Sequence, residues 1–381
     1  MTAMMAAAAG GSSISNVIRG RLRSSGIRLF DGFGPWRWKM ATGFDALRLV
    51  CTGQEQHLRT YLEWIDSIGG NGIRTFGNWA VTGLDYRHIQ NYYSFLQRLC
   101  QITFEHSMRM ELCAICDYIP PTLGEEQQFI DQVSAVCAQF EHVCVTFGNE
   151  PYQNMMNPER IQPPFIDMPM SRGMCNPNDP FSLPYLPSAG FTSYQTIRSD
   201  DWMRKVGKDG LEIHQGFDGF GGTHDATINT EAMGAAETYQ PGRRSNRPEE
   251  FFMAGVAAAM FTSGMTAHGD SHTMQWCNIP GPIEAECARQ CFRGVDAVPI
   301  DAPIWNYTRY GPAAPPWPMP CEPDPIDGDG DQVRMHAKVG THEAVTINYR
   351  YLLEGHDAWK PKGINGWTTV KQDGPMVLSA R

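Results

Sequence analysis

The chain of 381 residues is poor in positive charge: 31 Lys and Arg stand against 41 Asp and Glu, and the basic residues form no cluster. A formal net charge of -10 repels phosphate backbones and anionic headgroups, so neither nucleic acid nor a membrane is an expected partner. No run reaches the roughly 18 apolar residues of a membrane span. The opening MTAMMAAAAGGSSIS lacks a basic stretch and a sustained apolar core, which argues against a secretory signal peptide. Residues 1–25 are instead expected to be a tail, or an arm attaching the chain to a larger assembly. That implies a cytoplasmic location, or non-classical export as part of a particle. No G-x-G-x-x-G follows the first strand and no GxxxxGK[ST] loop is present, which weakens dinucleotide-binding and nucleotide-hydrolysing readings. No internal repeat is visible.

The 11 cysteines are odd in number and scattered through apolar segments. Cys113-Ala-Ile-Cys116 has C-x-x-C spacing, but it falls within or just past the apolar run Met108 to Ile115, whereas a redox motif opens a helix. Buried free thiols are therefore expected in preference to a redox or zinc site, and with them a reducing compartment.

What is present is a folded, loop-rich composition: 42% hydrophobic, with 38 Gly, 27 Pro and 41 aromatic residues (10 Trp, 13 Tyr, 18 Phe). An acidic, aromatic-rich protein suits a neutral polyhydroxylated ligand. From Ile27 the pattern alternates. Strands are expected at Arg28 to Phe30, Trp36 to Met40, Ile73 to Phe76, Met108 to Ile115 and the run around His142 to Val145. Helices are expected near Glu55 to Ile68, His88 to Phe104 and Glu125 to Phe140. Further along, Met168 to Met174, Phe191 to Thr196, Thr227 to Thr230 and Met265 to His268 read as strands. Asp201 to Ile213, Pro248 to Phe261 and Gly281 to Gly294 read as helices. Short connections between alternating strands and helices imply a parallel sheet. Eight barrel strands can be counted, and the length accommodates an α/β fold of the (β/α)8 TIM-barrel type, about 250 residues, with a small module beyond it. The boundaries read as a tail over 1–25, a barrel over 26–300, a Pro-rich linker over 301–331 and a small β-rich C-terminal module over 332–381.

Two carboxylates stand out. Glu150, in Thr146-Phe-Gly-Asn-Glu-Pro151, follows the fourth strand, and Glu231 ends the seventh about 80 residues later. The strand-end rim carries the chemistry of such barrels, and two carboxyl groups there supply a proton donor and a nucleophile or base. The simplest alternative for Glu150 is a strand-end carboxylate in a surface ion pair. For Glu231 the chief rival is Glu237, which is expected to face solvent. Arg74 has a barrel-rim ion pair as its plainer reading. Trp79, Trp276 and Tyr118 are rim aromatics that could stack on sugars, although buried packing is the usual fate of a Trp.

With GIRTFGNW, TFGNEP and INTEAMG in this order, the chain from about Ile27 to Val298 resembles glycoside hydrolase clan A. The resemblance implies a retaining hydrolase of O-glycosidic bonds, with an oligo- or polysaccharide as substrate and partner. It implies Glu150 as acid/base, Asn149 bonding the sugar 2-hydroxyl, Glu231 as nucleophile and Arg74 keeping the nucleophile ionised. Two glutamates within roughly 5–5.5 Å would give double displacement with retention. The chain departs from the pattern on strand six, where Tyr194 is a candidate beside the nucleophile and Gln195 occupies what is read as a histidine position. It departs again after strand eight, where His268 follows in place of Trp and Trp276 comes later. No cofactor is implied.

Two other readings compete. One is a non-catalytic carbohydrate-binding or structural protein on a glycosidase-like barrel, because fold alone does not fix function. The other is a metal-dependent barrel hydrolase using His268, Asp270 and His272. Asp327-Gly-Asp329-Gly-Asp331 resembles the first half of a calcium loop, but Gln332 replaces the required Gly and Lys338 the bidentate Glu, so a solvated acidic turn is expected.

Overall fold

The structure, a computed structural model, describes residues 18, 20–116, 122–151, 154, 169–171, 190–196, 202–215, 225–270, 272–298, 300, 332–339, 342–350, 368–373 and 376–380. Eight strands run parallel: β1 (Trp38–Thr42), β2 (Gly72–Phe76), β3 (Arg109–Ile115), β4 (Val143–Gly148), β5 (Met170–Ser171), β6 (Phe191–Gln195), β7 (Ala226–Glu231) and β8 (Gly264–Ala267). The ladder order is β5-β4-β3-β2-β1-β8-β7-β6. At the seam between β5 and β6 the described residues pair through a side chain, the Ser193 backbone N–H donating to Ser171 Oγ at 3.3 Å. The sheet is thus a nearly closed (β/α)8 barrel.

Among the described residues seven helices accompany the strands: α1 (Ala46–Cys51), α2 (Glu55–Ser67), α3 (Tyr92–Glu105), α4 (Leu123–Cys137), α5 (Trp202–Gln215), α6 (Pro248–Phe261) and α7 (Pro282–Ala297). Several have a local cause. On α2, Leu58, Tyr61, Leu62 and Ile65 fall on one face and are buried. Each such apolar side chain contributes about 1.5–3 kcal/mol on burial. Thr122 opens α4 with a capping box, accepting from the Glu125 N–H while Glu125 accepts from the Thr122 N–H. Pro248 and Pro282 occupy first-turn positions of α6 and α7, where the missing N–H costs nothing. None of the described helices is long and apolar enough to cross a membrane.

The structure departs from the sequence pattern in several places. The run expected as one strand, Trp36 to Met40, divides. Gly34–Trp36 joins Arg23–Ser25 and Arg28–Asp31 in a separate antiparallel sheet, and the barrel begins at Trp38. The helix expected from His88 starts at Tyr92, because Asn91 takes a left-handed backbone (φ 62°). Of the expected strand Met168 to Met174 the structure describes residues 169–171, which carry the strand Met170–Ser171; the short α1 was not anticipated.

The barrel interior has two zones. At the end where the strands begin, Trp38, Met40, Cys144, Phe191, Ala226 and Ile228 form an apolar cluster with Leu22 and Leu29 of the N-terminal sheet. Gly72 is needed beside it, since a Cβ there would meet the Arg109 carbonyl at 2.6 Å and Met40 at 2.9 Å. Further along the same strands the lining turns polar, and this zone opens towards the rim where the strands end. Separately, strands 332–339, 342–350, 376–380 and 368–373 form, in that order, an antiparallel sheet. The tail before residue 18 and the 301–331 linker with its Asp327–Asp331 turn lie outside the described residues.

Candidate active site

Arg74, near the middle of β2 and with no exposed surface, organises the polar end of the barrel. Its Nη2 donates to Asn149 Oδ1 at 2.9 Å, its Nη1 to Glu231 Oε2 at 3.4 Å, and its Nε lies 3.4 Å from Glu111 Oε2. Phe44 and Phe76, stacked at 3.8 Å, present their rings to the guanidinium at 5.2 and 5.4 Å. That cation–π contact stabilises a charge that is itself out of reach of water. Burial opposes the cation, but Glu111 and, beyond Cys113, Glu231 outweigh it and raise the Arg74 pKa further.

Asn149 and Glu150 follow directly on β4. The Asn149 N–H is tied to the Ile115 carbonyl at 2.8 Å and its own carbonyl accepts from the Asn154 amide. Glu150 has φ 45°, in the left-handed region that a side chain rarely adopts. Strained backbone of this kind clusters at functional sites. One carboxylate oxygen of Glu150 accepts from Gln195 Nε2 at 2.5 Å. Gln195 ends β6 and pairs in register with Glu231, the last residue of β7. The register of β7 shifts between Asn229 and Glu231, and such an irregularity re-aims the side chain that follows it. On its other oxygen Glu231 has His268 Nε2 at 4.0 Å. Gln275, whose amide also bonds the Gly269 carbonyl, lies 3.3 Å from that same nitrogen.

Sequence reasoning missed Glu111. It sits in the middle of β3 with no exposed surface, accepting from Thr146 Oγ1 at 2.7 Å and Ser193 Oγ at 3.4 Å. Burial pushes its carboxyl up, against the pull of Arg74 and the two hydroxyls. Two carboxylates share one guanidinium here, and the more deeply buried of them bears the cost. A signal was present: an ionisable residue inside the apolar run Met108 to Ile115 has only the barrel interior to occupy. Phe44 and Phe76 were also missed.

The remaining candidates divide. Trp79 is half-buried, edge-on to Phe44 and Phe76, and touches the half-buried Trp276 at 5.9 Å. Tyr194 does not face Glu231: alternation along β6 turns it outward, where it is fully buried and its hydroxyl donates to the Val206 carbonyl of α5. Glu237 is exposed and caps α7 by accepting the Glu284 N–H. The residues of the metal reading do not converge. His268 is buried beside Glu231, His272 is exposed, and Asp270 lies near Arg244. Among the described residues no group of three or more His, Cys, Asp or Glu side chains is placed to hold a metal. Cys113 and Cys116 are both buried and form no disulfide, and burial pushes the Cys113 thiol up to about 12. Tyr118 lies outside the described residues.

The fold is that of a nearly closed (β/α)8 barrel, and the resemblance to glycoside hydrolase clan A holds at the level of the fold. The chain is similar to a glycoside hydrolase structure from Bacteroides vulgatus (TM-score 0.54, 12% identity, covering 94% of this chain and 70% of that one). It is similar to a glycoside hydrolase family 5 structure from the same organism (0.53, 10%, covering 86% and 80%). It is also similar to GH5_18 from Bifidobacterium longum (0.52, 10%, covering 69% and 80%). No protein-family model matches the sequence, and no curated protein matches it.

Proposed function

We propose that this protein is a retaining glycoside hydrolase acting on an oligo- or polysaccharide, with Glu231 as nucleophile and Glu150 as acid/base. The observation that carries this reading is the reach of one buried guanidinium. Arg74 binds both Glu231 and Asn149, the neighbour of Glu150, and so ties the ends of β7 and β4 into one constellation. A guanidinium beside Glu231 favours the charged form a nucleophile needs. Glu150 is instead held by the neutral amide of Gln195, an arrangement compatible with a carboxyl that gains and loses a proton.

The reaction would run in two displacements. Glu231 attacks the anomeric carbon as Glu150 gives its proton to the departing glycosidic oxygen, leaving a glycosyl ester on Glu231. Glu150, now a carboxylate, takes a proton from water. The hydroxide equivalent attacks the same carbon, releasing Glu231 and a sugar of unchanged anomeric configuration.

The test is hydrolysis of a panel of aryl glycosides by wild type, Glu150→Ala and Glu231→Ala, with azide added. Glycosyl azides of opposite configuration from the two variants would assign the two roles and identify the sugar. Equal, negligible turnover by all three would replace this reading with a glycan-binding or structural one.

A further inference from the structure

Beside the candidate catalytic constellation the same rim holds a cavity of about 370 Å³, within the size range of small-molecule sites, about 300–1,000 Å³. It is built from the loop after β1 with α1, the loop after β8 and the start of α2. The first two are fastened together by the Asp45 N–H on the Gln275 carbonyl at 3.1 Å. Trp276 lines it, and Trp276 touches Trp79, which packs on Phe44 and Phe76 over Arg74. A row of aromatic rings thus links the cavity to the candidate catalytic centre.

The polar lining selects for a neutral ligand. Arg48 lies over the Trp276 ring at 5.2 Å, and Asp45 neutralises it through bonds of 2.5 and 2.6 Å. His57 donates from Nε2 to the Cys277 carbonyl at 3.0 Å, which leaves Nδ1 as an acceptor. The Gln54 amide donates to Thr52 Oγ1 at 3.0 Å and the Asn278 amide to the His272 carbonyl at 3.1 Å, leaving their side-chain oxygens as acceptors. Three uncharged acceptors and an indole ring match hydroxyl donors on an apolar sugar face. An anionic group would meet a cation already satisfied by Asp45.

We propose that this cavity is a remote subsite that binds a neutral sugar unit of an extended oligosaccharide. Its role in turnover rests on the hydrolase reading above; its binding of sugar does not.

Two measurements test it. The first is calorimetric titration of the Glu150→Ala protein, alone and with Trp276→Ala or His57→Ala added. The titrants are hexasaccharides of β-1,4-linked glucose, β-1,4-linked mannose and β-1,3-linked glucose. One of the three should bind, and each added substitution should weaken it roughly two- to tenfold, the scale of an aromatic contact. The second is the ratio of kcat/KM for that hexasaccharide to kcat/KM for the matching aryl monoglycoside, which should fall by the same factor in Trp276→Ala and His57→Ala. Hydrolysis with binding and ratio unaltered by either substitution would overturn the subsite and leave the hydrolase reading intact. Binding weakened by the substitutions, with no hydrolysis by wild type, would keep the subsite and remove the hydrolase reading. Failure of all three hexasaccharides to bind would overturn the subsite.

Discussion

Glu111 and Arg74 meet at 3.4 Å inside the barrel, both without exposed surface, and Arg74 passes on to Glu231 at the same distance. Glu111 is therefore a positioning residue: it holds the guanidinium that holds the candidate nucleophile. Removing one partner of a buried pair leaves a charge that water cannot reach, at a cost of about 3–5 kcal/mol. Glu111→Ala is expected to lose about that much stability in urea unfolding. The pH dependence has a definite sign. Burial raises the folded-state value of Glu111 above the ordinary 4.5. Its contribution is thus fully present below 4.5 and is lost as pH rises through the folded value. The stability of wild type minus that of Glu111→Gln should fall as pH increases over that window. A difference independent of pH would show that Arg74 fully compensates the burial, and one that grows with pH that it more than does so.

Gln195 stands between the two candidate catalytic carboxylates, paired in strand register with Glu231 and bonded to Glu150 at 2.5 Å. Gln195→Glu keeps the shape and places a like charge against Glu150, which favours the protonated form. The basic limb of the kcat/KM profile for an aryl glycoside should move up by roughly one pH unit or more. A lowered plateau with an unmoved limb would mean that Gln195 bears on binding and not on the proton of Glu150.

Much of this barrel was legible in the sequence because its strands are short apolar runs and its helices carry amphipathic faces. α2 and α6 ended within a residue of their expected limits, Glu55–Ser67 and Pro248–Phe261. What escaped was set by three-dimensional neighbours. Tyr194 and Gln195 looked equally eligible, and alternation along β6 settles which faces inward. Placing Gln195 opposite Glu231 needed the register shift after Asn229, which no periodicity announces. The inward set of Arg74, Glu111, Thr146 and Ser193 comes from four strands spread over about 120 residues.

Two glycines set how closely α6 and α7 pack. A Cβ on Gly255 would lie 2.1 Å from the Cys291 carbonyl oxygen, and one on Gly294 would lie 2.1 Å from that of Phe252. Both obstacles are backbone atoms, which cannot swing aside as a side chain can. Alanine is the better helix former by about 1 kcal/mol, so Gly255→Ala would stabilise an isolated helix. In the folded protein the clash should win, with a net loss at or above the roughly 1–3 kcal/mol typical of overpacking. Thermal unfolding of Gly255→Ala and Gly294→Ala decides it, and a raised Tm in either would mean that the helices can separate at little cost.

At the opposite end of the barrel, His142 enters β4 almost fully buried. Its Nε2 is 2.9 Å from Thr103 Oγ1, whose own hydrogen is directed to the Leu99 and Cys100 carbonyls. The ring therefore donates from Nε2 as a neutral imidazole. Burial pulls its pKa from 6.5 down to about 4. The unfolded chain thus takes up a proton near pH 6.5 while the folded protein does not. The resulting stability is present above 6.5 and is lost progressively as pH falls through about 4. A shift of this size corresponds to about 3 kcal/mol. Urea unfolding of wild type and His142→Asn across this window should show wild type losing about that much relative to the variant on acidification. Parallel pH profiles for the two proteins would mean that the imidazole charges without opening the packing around it.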